Sequence, residues 1–192
     1  MPRFKKIYIE TTNICNLSCN FCPKTERKLG FTNTLEFREI IQKIKNHTNY
    51  VYFHLMGEPL LNKNFGEFIK IANDEKINVN ITTNGTLINK VKNVIINGGK
   101  IRQINISLHS FEANNIDLDF DKYINDILDF MIEANEKTET IVALRLWNMD
   151  TEENLITILM DLDHLFLHIK ILQLHLQEEV QQHSNLEVQI AS

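Results

Sequence analysis

Cysteine is scarce in this sequence and occurs in one place only. Of the 192 residues three are cysteine, Cys15, Cys19 and Cys22, and they lie within a stretch of eight residues. An odd number of thiols cannot pair off completely, so the chain lacks the cysteine pattern of a disulfide-stabilised secreted domain. The clustering indicates thiolate ligands in a single loop.

Two other features are missing: an excess of positive charge and a long apolar run. The formal net charge is -5, which gives no basis for binding nucleic acid or an anionic membrane surface. Arg3, Lys5 and Lys6 precede polar residues rather than the apolar core of a signal peptide, and no later segment has the length of a membrane span. We therefore expect no nucleic-acid or membrane partner. Unpaired thiols favour a reducing, cytoplasmic location.

The sequence does contain a regular alternation of strand and helix patterns. Six segments alternate apolar and polar residues as strands do, beginning at Ile7, Tyr50, Asn78, Gln103, Thr140 and Ile169. Five segments between them place apolar residues at helical spacing, beginning at Phe37, Phe65, Leu87, Ile124 and Leu155. This alternation predicts βαβ units and a parallel sheet, either doubly wound or a partial (β/α) barrel.

Several of the predicted strands have one aliphatic and one polar face. Asn80 and Thr82 alternate with aliphatic residues in the third strand, and Asn105 and Ser107 do so in the fourth. A closed barrel is normally filled with branched aliphatic side chains, so the polar face indicates a wet cavity. An antiparallel sheet with one face in water is the alternative, but helices of three to four turns between the strands argue against it. We predict an α/β fold, a partial (β/α)6 barrel with parallel strands.

The domain organisation follows from the same patterns. No linker or low-complexity tract divides the chain, so we expect one core domain over residues 1–180 and a tail over residues 181–192. The tail has no helix pattern to cover the last predicted strand. This is consistent with a truncated relative of a longer protein, or with a core that a partner completes.

The residues least explained by packing follow the predicted strands at their carboxyl ends. The cysteines follow the first strand, the segment 56–59 (MGEP) follows the second, and segments 83–85 (TNG), 107–110 (SLHS) and 145–148 (RLWN) end the next three. In both candidate folds, chemistry occurs at the carboxyl ends of parallel strands. The sequence therefore predicts one functional site at this end of the sheet.

The C-x3-C-x2-C spacing narrows the choice of metal. Structural zinc needs four ligands, commonly as two separated pairs, and the nearest histidines are His47 and His54, the latter within a predicted strand. A [4Fe-4S] cluster usually takes four thiolates, so three thiolates leave one iron without a protein ligand. An open iron suits a catalyst better than an electron carrier.

This loop after the first strand resembles that of the radical S-adenosylmethionine (radical SAM) superfamily, and the later elements fit in order over nearly the whole chain. The resemblance implies an enzyme with a [4Fe-4S] cluster on Cys15, Cys19 and Cys22 and with SAM chelated at the open iron. In that family the reduced cluster cleaves SAM to methionine and a 5′-deoxyadenosyl radical, which abstracts hydrogen from a substrate.

The resemblance also implies roles in SAM binding for Phe21, Gly57, Glu58, Asn84, Ser107 and Arg145. Phe21 matches an aromatic position beside the adenine, and segment 56–58 resembles a G-G-E motif in which Met56 replaces the first glycine. The carboxylate of Glu58 would receive the methionine ammonium. Asn84 and Ser107 match positions that contact the ribose or carboxylate of SAM, and Arg145 would pair with the carboxylate.

Partners and alternatives remain open from sequence. The resemblance implies an electron donor such as a flavodoxin or ferredoxin, and segment 57–61 (GEPLL) is similar to that of members acting on peptides or cofactor precursors. The alternatives are a non-catalytic iron-sulfur or zinc protein, and an inactive product of a shortened gene.

Overall fold

The strands pair with one another in their order along the chain. The structure is a computed structural model that describes residues 4–112, 114, 119–147 and 185–190. Its strands are β1 (Ile7–Ile9), β2 (Tyr50–Phe53), β3 (Asn78–Thr83), β4 (Ile101–Ser107), β5 (Ile141–Trp147) and β6 (Asn185–Ile190). They form one sheet in the order β1-β2-β3-β4-β5-β6. A β/α barrel has its strands in this sequential order. In a doubly wound sheet, by contrast, the strand order reverses near the centre of the sheet.

One row of apolar residues sets the register of the parallel strands. Ile9 pairs with Phe53, Phe53 with Ile81, Ile81 with Ile104, and Ile104 with Val142. All five side chains are buried. A shift of one residue in any strand would move its apolar set to the opposite face, so this row fixes how the carboxyl ends of β1 to β5 line up.

Helices cover the aliphatic face of this sheet. They are α1 (Thr34–Ile44), α2 (Phe65–Asp74), α3 (Ile88–Asn97), α4 (His109–Glu112) and α5 (Phe120–Lys137). The four longer helices confirm the predicted segments, and the one-turn α4 was not predicted. The helix predicted from Leu155 and the strand predicted from Ile169 lie outside the described residues. Within the described ranges, no helix has the length and apolar character needed to cross a bilayer.

Local sequence determines where α1 begins and which face it buries. Asn33 and Glu36 form a capping box, in which Asn33 Oδ1 accepts from Glu36 N at 3.0 Å and Glu36 Oε2 accepts from Asn33 N at 2.9 Å. Phe37, four residues into the helix, is fully buried, and its ring stacks on Phe68 of α2 with a centroid distance of 4.3 Å. This contact holds α1 and α2 together over the sheet.

The polar face of the sheet is buried at Asn80 and Asn105, where the sequence predicted the lining of a wet cavity. Asn80 and Asn105 are only 1% and 2% exposed. Asn80 Nδ2 donates to Val51 O and Asn105 Nδ2 donates to Ile81 O, each at 3.3 Å. Each amide thus bonds the backbone of the preceding strand, which offsets the cost of burying it. Thr82, Ser107 and Arg145, nearer the carboxyl ends of their strands, are half-buried.

The last strand differs from the predicted arrangement. The parallel sheet is confirmed for β1 to β5, but β6 pairs antiparallel with β5, and its register places Val188 opposite Leu144 and Glu187 opposite Arg145. The segment 185–190 lies in the predicted tail. Its apolar residues occur at every second position (NLEVQI), which is the pattern of a half-buried strand. The segment is short and lies among polar residues, so the sequence analysis did not predict this strand.

Two substitutions in α1 test whether this packing stabilises the fold. Phe37→Ala should lower the free energy of unfolding by about 3–5 kcal/mol, because it removes a fully buried ring and leaves a cavity. Leu35→Ala in the same helix is the matched control, because Leu35 is 73% exposed, and it should change the stability by about 0.5 kcal/mol or less. Urea denaturation of the metal-free protein measures both. Equal effects of the two substitutions would show that α1 packs differently.

Candidate active site

The cysteine loop leaves the carboxyl end of β1 and is closed at its base by backbone contacts. Thr12 and Phe31 form an antiparallel bridge, and Thr32 N donates to Thr11 O at 3.0 Å. Thr12 Oγ1 also donates to Gly30 O at 2.8 Å and accepts from Ile14 N at 3.0 Å. Residues 13–30 therefore form a loop with a fixed base that contains all three cysteines.

The three thiols are free and differ in exposure. Cys19 is buried, Cys22 is intermediate and Cys15 is exposed at the surface. Cys22 N donates to Cys19 O at 3.2 Å, which folds this part of the loop into a turn. Partial burial of its sulfur raises the pKa of Cys15, while Leu17 N, which donates to Cys15 Sγ at 3.4 Å, acts in the opposite direction.

The donor set fits an iron-sulfur cluster better than a single ion. Within the described part of the chain, no three His, Cys, Asp or Glu side chains converge closely enough to hold one metal ion. A tetrahedral zinc site needs such convergence. Three unpaired thiols in one loop, with N–H groups directed at two of the sulfurs, suit thiolates that bind a larger iron-sulfur cluster.

Gly57 brings the segment after β2 directly against this loop. Its φ is +78°, and a Cβ built there would lie 2.4 Å from Thr12 O and 2.8 Å from Ile14 O. The next residue completes the contact, because Glu58 N donates to Ile14 O at 2.8 Å. Only glycine combines this conformation with so close an approach. The two segments therefore meet backbone against backbone.

Glu58 is a buried carboxylate that accepts three hydrogen bonds. The residue is 1% exposed. Its Oε1 accepts from Leu60 N at 3.0 Å and Thr83 Oγ1 at 2.8 Å, and its Oε2 accepts from Asn84 N at 2.8 Å. Burial raises the pKa of Glu58 to about 7, against the lowering effect of these donors. Oε1 accepts two of these bonds and Oε2 accepts one.

Asn84 connects the end of β3 to the cysteine loop. Its Nδ2 donates to Asn16 Oδ1 at 3.0 Å and lies 3.8 Å from Cys15 Sγ. Its backbone oxygen accepts from Tyr123 of α5 at 2.8 Å. The structure therefore places Gly57, Glu58 and Asn84 against the cysteine loop.

The other predicted residues lie further along the same end of the sheet. The ring of Phe21 is 38% exposed and lies 5.1 Å from that of His109, between centroids. Ser107 and Arg145 are paired in the register of β4 and β5. Within the described residues, no hydrogen bond joins either side chain to the cysteine loop. Burial, together with the charge of Arg145, lowers the pKa of His54 on the β2 side.

Sequence reasoning missed two residues of the site. Thr83 bonds Glu58, and Asn114, after α4, bonds Cys19 Sγ at 3.0 Å and Ser18 N at 2.6 Å. Thr83 stood next to the predicted Asn84 but on the aliphatic face of its strand. Asn114 gave no signal, because a single asparagine in a connection has no periodicity or motif around it.

Comparison with known proteins decides the family. The sequence profile described as the Radical SAM superfamily matches residues 9–162. The chain belongs to the radical SAM superfamily. Its cofactors are accordingly a [4Fe-4S] cluster and SAM, and the family is one of enzymes. The predicted fold, family and cofactors are confirmed, while the roles of individual site residues stay predictions.

Curated relatives match this chain over part of their own length. The GTP 3',8-cyclase of Synechocystis is 26% identical over 116 residues, which are 58% of this chain and 35% of that protein. The probable GTP 3',8-cyclase of Methanocaldococcus jannaschii is 30% identical over 108 residues, 54% of this chain and 36% of that protein. The chain thus spans about a third of the length of these radical SAM relatives.

Solved structures share the radical SAM fold. BtrN in complex with AdoMet and 2-DOIA has a TM-score of 0.56 and 20% identity, covering 74% of this chain and 58% of BtrN. Streptococcus suis SuiB bound to S-adenosylmethionine has a TM-score of 0.60 and 19% identity, covering 84% of this chain and 37% of SuiB. SuiB bound to precursor peptide SuiA has a TM-score of 0.61 and 19% identity, covering 85% of this chain and 37% of SuiB.

Replacing Gly57 tests the close approach of the two loops. Gly57→Ala should lower the free energy of unfolding by at least about 2 kcal/mol, because the new Cβ meets two backbone oxygens and the positive φ is strained. Gly30→Ala is the control, since a Cβ there has nothing within 4 Å, and it should cost about 0.5 kcal/mol or less. Denaturant unfolding of the metal-free protein measures both. The interpretation is wrong if Gly57→Ala is as stable as Gly30→Ala.

The buried carboxylate predicts a pH dependence of stability. Because the pKa of Glu58 rises from 4.5 to about 7 on folding, the native state holds its proton more tightly than the unfolded state. Stability should therefore fall as the pH rises from about 4.5 to 7, by roughly 2–4 kcal/mol, and this loss is complete above pH 7. Below pH 4.5 this contribution to stability is fully present and no longer changes with pH, because the group is protonated in both states.

Glu58→Gln supplies the comparison for that measurement. Glutamine does not titrate, so the difference in unfolding free energy between parent and variant should change between pH 5 and 7.5. Groups elsewhere titrate equally in both proteins and cancel. Two stability curves that run parallel over this range would contradict a raised pKa.

Proposed function

We propose that this chain is the catalytic core of an enzyme that reductively cleaves SAM and uses the resulting 5′-deoxyadenosyl radical to abstract hydrogen from a second molecule. The observation that carries the proposal is the docking of Glu58 N on Ile14 O, which brings the Gly57–Glu58 segment against the three-thiol loop. When bound, a [4Fe-4S] cluster with three protein thiolates supplies an electron and an iron site open to SAM. No fourth cysteine exists to fill that position.

We propose the following division of work among the residues around SAM. Cys15, Cys19 and Cys22 hold the cluster, and the Glu58 carboxylate receives the methionine ammonium. A buried carboxylate suits an ammonium, because the charge-assisted bond replaces water that the carboxylate has already lost. Gly57 supports this contact by allowing the backbone to approach the loop.

The remaining contacts extend along the sheet. The exposed ring of Phe21 offers a face on which the adenine can stack. Asn84, Ser107 and Arg145 supply polar groups for the ribose and carboxylate of SAM, and the half-buried guanidinium of Arg145 suits an anion. These roles share one geometric basis, the alignment of the ends of β1 to β5.

The second substrate is proposed to be a cofactor precursor, and GTP is the first compound to test. Support comes from relatives named GTP 3',8-cyclase, which match just over half of this chain. A peptide is the other proposed class, in line with the SuiA peptide bound to SuiB, whose likeness at 19% identity extends to the fold. A flavodoxin or ferredoxin is the proposed electron donor, and unpaired thiols fit the reducing cytoplasm.

The central test is the release of 5′-deoxyadenosine. The anaerobically reconstituted protein, given dithionite and SAM, should release 5′-deoxyadenosine, and Cys19→Ala should reduce the yield at least about a hundredfold, because catalysis is lost with the cluster. Asn20→Ala is the matched control, since this exposed residue of the same loop has no described hydrogen bond, and it should keep the parent yield. Equal yields from Cys19→Ala and the parent would refute the proposal.

A further inference from the structure

Asn114 makes a contact that SAM binding does not explain. Its Nδ2 lies 3.0 Å from Cys19 Sγ and 2.7 Å from Ser110 O, and its Oδ1 accepts from Ser18 N at 2.6 Å. The side chain thus joins the connection after α4 to the cysteine loop, 95 residues away in sequence.

The three bonds fix the orientation of the amide. Turning the amide over would place Oδ1 against the Ser110 carbonyl oxygen and Nδ2 against the Ser18 N–H, so all three contacts would become repulsive or be lost. In the observed orientation both hydrogens of Nδ2 are used, one for Ser110 O and one for the sulfur. The N–H is therefore held pointing at Cys19 Sγ.

This contact becomes stronger when Cys19 binds iron. A thiol carries its own proton, and Cys19 Sγ lies 3.9 Å from Ser110 O in a weak S–H contact. Iron binds the thiolate, which has lost that proton and accepts hydrogen bonds as a charged group. The N–H of Asn114 then faces the negative sulfur of a buried residue, and such a charge-assisted hydrogen bond is stronger than one to a neutral thiol.

We propose that Asn114 is a positioning residue that acts through Cys19 and raises the reduction potential of the cluster. One electron from an external donor adds one unit of negative charge to the cluster and its thiolates. A hydrogen bond to a ligating sulfur stabilises that added charge, so the reduced form gains more than the oxidised form. The inference rests on the proposed function in requiring a [4Fe-4S] cluster, but it requires neither SAM nor substrate.

The test uses two substitutions of Asn114 and one matched control. Asn114→Ala removes all three bonds, and Asn114→Asp keeps an oxygen for Ser18 N but offers the sulfur a negative charge. Asn13→Ala is the control, because the Asn13 side chain also makes two hydrogen bonds within the cysteine loop. Its Nδ2 donates to Lys28 O at 3.0 Å, and its Oδ1 accepts from Gly30 N at 2.8 Å. Neither of these bonds involves a sulfur.

The measurement is the midpoint potential of the reconstituted 192-residue chain, without SAM, by dithionite titration with mediators and EPR detection of the reduced cluster. Iron and sulfide analysis should first give about four of each per chain in every variant. At a fixed potential, the ratio of reduced to oxidised cluster should fall about tenfold in Asn114→Ala, a shift of about 59 mV for one electron, and further in Asn114→Asp. Asn13→Ala should match the parent.

Three results would overturn the inference. The first is an unchanged potential in fully loaded Asn114 variants. The second is an equal shift in Asn13→Ala, which would assign the effect to a loosened loop. The third is loss of iron from both Asn114 variants but not from Asn13→Ala. That result would show that Asn114 is needed to assemble the cluster and does not set its potential. A chain that shows the shift yet releases no 5′-deoxyadenosine would support this inference and contradict the proposed function.

Discussion

The buried carboxylate of Glu58 is the interaction on which the site depends. It bonds the backbone of its own turn at Leu60, the hydroxyl of Thr83 and the backbone of Asn84, while its N–H bonds Ile14. Three strand ends are therefore joined through one residue. Burial disfavours the charged carboxylate and raises the pKa of Glu58, although the three hydrogen bonds act in the opposite direction. The contacts of Glu58 fix the separation between the cysteine loop and the end of β3.

The two faces of the sheet divide the remaining tasks. The aliphatic face sets the register through a row of apolar residues that includes Phe53 and Ile104, and the helices cover it. The inner face is built with amides, and Asn80 and Asn105 bond strand carbonyls instead of filling the centre with methyl groups. These polar side chains therefore hold neighbouring strands together as well as occupying the inner face.

The sequence made the parallel part of the fold and the cysteine site predictable because both depend on local patterns. Strand and helix periods repeat along the chain, and the cysteine spacing is confined to one loop. The position of Glu58 was also predictable, but its partners were not, since Thr83 and Asn84 meet it only after β2 and β3 align. Asn114 and the antiparallel β6 depend on long-range pairing, for which single residues and short segments carry little signal.

The closed base of the cysteine loop has a consequence for how the protein matures. Small zinc domains order their chain only when metal arrives, so part of the binding free energy is consumed by folding. Here the Thr12–Phe31 bridge and the Thr12 and Asn13 side-chain bonds restrict residues 13–30 through contacts that involve no cysteine side chain. The entropy of loop closure is lost during folding. Closure of the loop base therefore does not consume the free energy of cluster binding, in contrast to a zinc domain that becomes ordered only with its metal.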